Sequence, residues 1–183
     1  AKMSRPEIKA MAQLYPIEQI KNDPGYPGTL ETALVEAGIP TFTIEIGGPR
    51  SFDRRQIPMF VEGTMNVLKH HGVIAGAIGR TAEDAGTFIG NAFHAVRVSH
   101  GGYLELKVDL GDAVAAGQTV AIQRNSFGEV VAEYTSGVAG QVSWLYRDAM
   151  IEPGSNLMDI LYDNPDPACE GDGCPVEPQD YVE

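Results

Sequence analysis

The chain has 183 residues, enough for one well-formed core or two small ones, and its hydrophobic and charged contents (43% and 21%) are ordinary for a globular protein. The formal net charge of −12 argues against nucleic acid and anionic membrane as partners, since both select basic surfaces. No apolar run approaches the length of a membrane span, and we expect no signal peptide.

The first predicted helix follows Ser4, which begins a capping-box pattern completed by Glu7. Pro16 limits this helix. Its apolar residues recur at helical spacing: Ile8, Met11, Ala12 and Tyr15. Residues 22–28 form a dense cluster of turn residues, which predicts a loop that carries Tyr26.

A second helix is predicted over 29–37 and leads into a short buried strand over 41–46. The only carboxylate in that strand is Glu45, which lies near its carboxyl end and before a Gly-Gly-Pro turn. In open α/β sheets, ligand crevices lie at such ends. Partial burial there would raise the pKa of Glu45 toward the range useful for acid/base catalysis.

The alternative role for Glu45 is an ion pair at the rim of the sheet, because structural ion pairs also place carboxylates at such edges. Its candidate partners are Arg50, Arg54 and Arg55.

A third helix is predicted from residue 57 and ends at Gly72. Its apolar face consists of Ile57, Phe60, Val61, Thr64, Val67 and Leu68. His70 and His71 lie in its last turn, where cations suit the helix dipole. Adjacent helical histidines point about 100° apart and do not easily share one metal ion. We interpret 1–75 as the closing part of an α/β layered domain.

Residues 76–92 are rich in glycine and are predicted to be a linker, followed by an all-β domain over 93–162. Its predicted strands lie around 95–99, 103–106, 119–122, 130–132, 141–145 and 157–160. His94 and His100 flank the first of these strands and are interpreted as polar residues at strand ends. The alternative is that they face a cleft beside the first domain.

Residues 111–118 resemble the turn of biotinyl/lipoyl-type barrel-sandwich domains, and 151–157 resemble its internal repeat. No lysine follows Lys107, so no cofactor can be attached to a lysine there.

Residues 163–183 hold seven carboxylates, four prolines and no basic residue, which predicts a solvated acidic tail. Cys169 and Cys174 in this tail either form a small disulfide loop or remain free thiols. The cysteines leave the compartment open, and we take a cytoplasmic location as the expectation.

Three stretches carry a family resemblance: 29–40, 42–48, and the helix that ends His-His-Gly. Together they resemble the succinylglutamate desuccinylase/aspartoacylase family, zinc-dependent deacylases related to metallocarboxypeptidases, over about 24–160. The resemblance implies the end of a zinc-carboxypeptidase-like α/β layered domain followed by a barrel-sandwich cap. It also implies that Glu45 is the general base and that Tyr26 contacts substrate. The alternative for Tyr26 is a structural role, with its ring packed over the proline-rich turn.

The resemblance further implies a zinc cofactor and a small N-acyl amino acid substrate. Family members bind zinc through a His-x-x-Glu pair and a later His, all upstream of the Glu45 position. This sequence has no His-x-x-Glu and no His before Glu45, so we predict no metal ligand in the chain. The expected partner is an N-terminal half or a second copy of the chain. The alternative function is a non-catalytic, truncated or diverged copy that acts as a binding module.

Overall fold

The computed structural model of the chain describes residues 1–48 and 54–175. These residues fold as two compact units. The first, the α/β unit, contains 1–48, 54–91 and 164–175. The second, the β unit, contains 92–163. Among the described residues, no helix combines the length and hydropathy that crossing a membrane requires.

The α/β unit contains short helices and one two-stranded parallel sheet. Its α-helices are α1 (Pro6–Ala12), α2 (Leu30–Glu36), α3 (Gln56–His70) and α4 (Ala82–Ala85). Its strands are β1 (Gln19–Lys21) and β2 (Phe88–Gly90), which pair with Ile20 opposite Ile89. Both α4 and β2 lie within 76–92, the stretch that the sequence predicted as a linker.

The helix α1 anchors the core of this unit. Ile8, Met11, Ala12 and Tyr15 are all buried, as the helical spacing predicted. The predicted capping box is wrong: Arg5 is the N-cap residue and caps no backbone group with its side chain. The Ser4 hydroxyl donates instead to a carboxylate oxygen of Asp172.

The helices α2 and α3 confirm two further predictions. Thr29 caps α2, accepting a hydrogen bond of 3.2 Å from the Thr32 amide.

The predicted strand over 41–46 is wrong, since none of these residues lies in a strand. A strand needs a hydrogen-bonded neighbour, and the local sequence cannot show whether the chain supplies one.

The β unit consists of two four-stranded antiparallel sheets. The strands are β3 (Ala92–Arg97), β4 (Gly102–Leu106), β5 (Ala113–Val114), β6 (Thr119–Arg124), β7 (Val130–Thr135), β8 (Gly140–Leu145), β9 (Met150–Ile151) and β10 (Asn156–Tyr162). One sheet has the order β3-β10-β8-β5 and the other β7-β6-β4-β9. The strands form two separate sheets and do not close into a barrel.

Both sheets contribute to one apolar core. Val142, Leu157, Met158 and Ile160 from the first sheet are fully buried with Val120 from the second. All six predicted strands are present. The two-residue strands β5 and β9 were not predicted, because two residues are too short to show periodicity.

The described part of the acidic tail is folded, so the prediction that 163–175 forms no folded element is wrong. Asp163, Asp166 and Glu170 are nevertheless exposed to solvent, as predicted. Pro167–Cys169 forms a 3₁₀ turn, and Cys169 and Cys174 form a disulfide. The amide of Cys174 donates to the Asn91 carbonyl at 3.1 Å. Residues 176–183 lie outside the described residues.

Candidate active site

Glu45 lies in the segment that connects α2 to α3, and its side chain is exposed. The sequence predicted partial burial at the edge of a sheet, which the described part of the chain does not provide. Arg54 and Arg55, two of its possible partners, are exposed just before α3, and Arg50 lies outside the described residues.

Three contacts hold the segment around Glu45 in position. The Phe42 ring packs edge-on against the buried ring of Tyr15, with 5.7 Å between ring centroids. The Thr43 hydroxyl donates to Glu31 of α2 at 2.5 Å. The Gly47 amide donates to the Gln56 side chain at the start of α3. The residues on both sides of Glu45 therefore contact Tyr15, α2 and α3.

The turn after Glu45 depends on glycine. Gly47 has a φ of +85°, a backbone conformation that residues with a Cβ rarely adopt. This turn ends the extended segment directly after Ile46.

Tyr26 is half-buried in the loop before α2. Its hydroxyl accepts a hydrogen bond of 3.1 Å from Lys21 Nζ, which also lies 5.1 Å from the centre of the ring. Its carbonyl accepts from the hydroxyls of Thr29 (2.9 Å) and Thr32 (2.7 Å). The loop is therefore fixed to the first turn of α2, and Tyr26 presents a phenol beside an ammonium group.

Lys21 was not singled out in the sequence, because it lies in β1, a strand of three residues that shows no periodicity. The sequence does place a lysine five residues before a loop tyrosine, but this spacing alone is weak evidence that the two side chains meet.

A small depression of about 60 Å³ lies between the turn at Pro24 and α2. Thr32, Val35 and Glu36 contribute to its lining, and Glu45 and Tyr26 do not. It has room for only one or two water molecules, so it does not accommodate an N-acyl amino acid.

The four histidines make different contacts within their own units. His70 and His71 are exposed at the end of α3, with their rings edge-to-face at 5.1 Å. His100 Nδ1 lies 2.8 Å from the Ser99 hydroxyl. The ring of His94 lies so close to Gly137 that a Cβ there would be 2.6 Å from His94 Nε2.

These residues do not fit a zinc ion. Within 1–48 and 54–175, no group of three or more His, Cys, Asp or Glu side chains could hold a metal. Both cysteines form the disulfide, so neither offers a thiolate to a metal. A tetrahedral zinc site needs at least three protein ligands.

Three solved structures illustrate what the chain is similar to. The ectoine utilization protein EutE (DoeB) from Ruegeria pomeroyi matches with a TM-score of 0.74 and 24% identity, over 88% of this chain and 52% of that one. A succinylglutamate desuccinylase/aspartoacylase from Rhodobacter sphaeroides gives 0.73 and 18%, over 88% and 50%. A succinylglutamate desuccinylase from Silicibacter sp. TM1040 gives 0.72 and 23%, over 87% and 50%.

The chain has the fold of the succinylglutamate desuccinylase/aspartoacylase proteins. It spans about half the length of the structures it matches. No family model matches the sequence, and comparison with curated proteins gives no match. The resemblance predicted from the sequence is thus confirmed at the level of the fold, as is its restriction to half of such a protein.

The α/β unit also carries a carboxylate on α3, Glu62, whose pKa is shifted. The backbone amide of Arg80 donates to Glu62 at 3.0 Å, and its guanidinium donates at 2.8 Å. These hydrogen bonds hold the pKa of Glu62 below its usual range. Glu62 is therefore ionised at neutral pH and fastens α3 to the chain around residue 80, which is a structural role.

The β unit holds a buried polar network that the sequence did not reveal. The Tyr134 hydroxyl donates to Gln123 Oε1 at 2.5 Å and accepts from the Ser99 amide at 3.0 Å. Gln123 is fully buried, and its Nε2 donates to the His100 carbonyl at 2.6 Å. The network ties the end of β3 to the facing sheet, and it explains why both side chains are polar inside an apolar core.

Proposed function

We propose that this chain is part of a zinc-dependent hydrolase of the succinylglutamate desuccinylase/aspartoacylase type, which cleaves the amide bond of a small N-acyl amino acid. The observation that carries the proposal is the likeness of fold, with TM-scores of 0.72 to 0.74 over nearly nine-tenths of the chain. No described residue is assigned as a metal ligand. The ligands belong to the half of the fold that this chain does not cover.

Glu45 is the proposed general base. It accepts a proton from the attacking water and passes it to the leaving amine. The contacts of Phe42, Thr43 and Gly47 support this role, because they fix the backbone on both sides of the carboxylate.

Tyr26 is the proposed substrate contact. Its hydroxyl and the ammonium group of Lys21 lie within hydrogen-bond distance of one another. Together they offer an O–H and an N–H donor, which suits the carboxylate of an N-acyl amino acid.

The β unit is inferred to be a barrel-sandwich cap of the biotinyl/lipoyl type that carries no cofactor. Two four-stranded antiparallel sheets around one core support this inference. Each sheet ends in a two-residue strand, β5 or β9, as an internal repeat would produce.

The second candidate function is a non-catalytic copy of the same fold that acts as a binding module. It is favoured by the exposed position of Glu45.

The test uses the complementary EutE fragment, which we define as the part of Ruegeria pomeroyi EutE (DoeB) that this chain does not match. The chain is co-expressed with this fragment, supplied with zinc, and assayed on N-acetylaspartate and N-succinylglutamate. Glu45→Gln is expected to lower kcat by about 10²- to 10⁴-fold, the usual contribution of a general base. Tyr26→Phe is expected mainly to raise KM.

The matched control is Glu36→Gln, an exposed carboxylate on α2. It should leave kcat unchanged. Full activity in Glu45→Gln would remove Glu45 from the mechanism. An assembled complex that hydrolyses neither substrate would favour the binding module.

A further inference from the structure

The bond between Cys169 and Cys174 closes a short loop, which we call the disulfide loop (169–174). Its only regular structure is the 3₁₀ turn that ends at Cys169. Gly171 and Gly173 adopt φ values of +79° and +89°. Glycine loses more backbone freedom on folding than any other residue, so ordering this loop has a high entropy cost. The cross-link lowers that cost, because it restricts the loop even when the loop makes no other contact.

The disulfide loop packs on the start of residues 22–28, which we call the Tyr26 loop. The Asn22 side chain donates to the Gly171 carbonyl at 2.8 Å. Gly173 lies so close that a Cβ there would be 2.2 Å from the Asn22 carbonyl oxygen and 3.1 Å from Asp23 Cα. The first two residues of the Tyr26 loop therefore take their position from the disulfide loop.

The contact extends along the Tyr26 loop. An oxygen of the Asp23 carboxylate accepts a hydrogen bond of 2.8 Å from the amide of Gly25, the residue directly before Tyr26. On the other side of Asn22, Lys21 donates to the Tyr26 hydroxyl. Both the backbone before Tyr26 and the cation beside its hydroxyl are thus adjacent to residues that the disulfide loop contacts.

The ends of the disulfide loop are held more firmly than its middle. The Asn91 side chain accepts from the Asn164 amide at 2.6 Å and donates to the Asn164 carbonyl at 3.0 Å. The Asn91 carbonyl accepts from the Cys174 amide at 3.1 Å. In the middle, the Asp172 carboxylate pairs with Lys2, and their side chains are 39% and 27% exposed. Exposed ion pairs contribute little stability, so the position of 170–173 depends on closure of the disulfide.

We propose that the Cys169–Cys174 disulfide is a redox-sensitive clasp on the Tyr26 loop. A dithiol reductant opens the clasp, and residues 170–173 then release Asn22 and Asp23. The inference deepens the proposed function, because the role of Tyr26 as a substrate contact rests on that function. The opening of the clasp does not rest on it.

The redox step is a two-electron thiol–disulfide exchange. Cys169 is buried and Cys174 is only partly buried, so a thiolate of the reductant attacks the Cys174 sulfur. The Cys169 sulfur leaves as a thiolate and takes a proton. The second thiol of the reductant then attacks the mixed disulfide, and the Cys174 sulfur leaves and takes the other proton. The protein gains two electrons and two protons, and the reductant becomes a disulfide.

The experiment compares the air-oxidised 183-residue chain with the same chain reduced by dithiothreitol. Alkylation and mass spectrometry count the free thiols, with none expected before reduction and two after it. Hydrogen–deuterium exchange is followed residue by residue by NMR. We expect the Gly25 amide to exchange at least tenfold faster in the reduced chain, while β10 is unchanged. The double variant Cys169→Ser/Cys174→Ser should behave as the reduced chain does and should not respond to dithiothreitol.

A second variant opens the clasp without breaking the disulfide. In Gly173→Ala, the added Cβ meets the Asn22 carbonyl, so the Gly25 amide should exchange at least tenfold faster even in the oxidised chain. The matched control is Gly38→Ala, because Gly38 has a similar φ of +81° and no atom within 4 Å of an added Cβ. It should leave the exchange of Gly25 unchanged.

Equal exchange of Gly25 in the oxidised and reduced chains overturns the inference, as do two free thiols in the oxidised chain. An equal acceleration in α1 also overturns it, since reduction would then unfold the whole unit. A clasp that opens as expected, in a chain whose complex with the complementary EutE fragment hydrolyses no N-acyl amino acid, rejects the proposed function and supports this inference.

Discussion

Asn66 shows how a single polar side chain fixes the orientation of a helix. It is fully buried, and its amide makes three hydrogen bonds to backbone groups at Leu14, Gly79 and Arg80. Two of its partners are carbonyl acceptors and one is an amide donor, so only a side-chain amide satisfies all three.

We predict that Asn66→Ala destabilises the protein by about 3 kcal/mol, because it leaves buried backbone groups without partners. The free energy of unfolding is measured by urea denaturation followed at the helix signal in circular dichroism. His71→Ala, at the exposed end of the same helix, is the control and should change it by less than about 0.5 kcal/mol. An equally small loss in Asn66→Ala would show that Asn66 does not hold α3.

Glu45 shows what the sequence can and cannot supply at this scale. The sequence predicted a turn at the two glycines that follow the segment of Glu45, and Gly47 adopts a positive φ there. Its predicted burial was not found, because burial depends on what packs over the segment. The contacts of Thr43 with Glu31 and of Gly47 with Gln56 join residues 12 and 9 positions apart, and no pattern in the sequence indicated them.

At the level of elements, helices were predictable and strand pairing was not. The spacing of apolar residues is a local property, and it predicted α1, α2 and α3. The same spacing predicted an apolar face on α3, and two of its residues, Ile57 and Val61, are exposed. The other four are partly buried: Phe60, Thr64, Val67 and Leu68. Periodicity identifies the apolar side of a helix but not the polypeptide that covers it.

Composition misled the prediction of the tail. Its acidic residues suggested solvation, but Asp172 binds the N-terminal residues Lys2 (3.0 Å) and Ser4. The Asn22 side chain donates to the Gly171 carbonyl at 2.8 Å, and Gly173 lies against Asn22 with no room for a Cβ. These contacts span about 150 residues or more of sequence. The disulfide is one of the two alternatives that the sequence left open for Cys169 and Cys174. The cytoplasmic location stays a prediction.

Acid should loosen this tail. The hydrogen bond from Ser4, together with Lys2, holds the pKa of Asp172 below its usual range. A depressed pKa in the folded state means that the stabilisation is present above the usual carboxyl pKa of about 4 and is lost as the pH falls through the folded value. Asp172 is partly exposed, so solvent screening keeps the effect small.

We therefore predict that Asp172→Asn lowers Tm by about 1–2 °C at pH 7 and that this difference becomes smaller as the pH falls below about 4. Differential scanning calorimetry between pH 3 and 7 measures it. Glu170→Gln, an exposed residue of the same loop, is the control and should have no effect. A difference that persists unchanged at pH 3 would contradict the assigned ion pair.

At the scale of the whole molecule, the two units differ in the size of their buried apolar clusters. The β unit buries a core of its own from both sheets, and its longer strands were predicted from alternation and glycine turns. Its strand order was not predictable, because the sheets pair strands distant in sequence, such as β3 with β10. In the α/β unit, Leu30 of α2 and Val61 and Met65 of α3 are exposed. The chain as a whole spans about half the length of the structures whose fold it shares.

The central claim is that the chain is part of a hydrolase of the succinylglutamate desuccinylase/aspartoacylase type in which Glu45 is the proposed general base. The most direct test measures kcat on N-acetylaspartate for the wild-type chain and for Glu45→Gln, each co-expressed with the complementary EutE fragment and supplied with zinc. The account predicts that kcat is about 10²- to 10⁴-fold lower in Glu45→Gln. An unchanged kcat in this variant would contradict it.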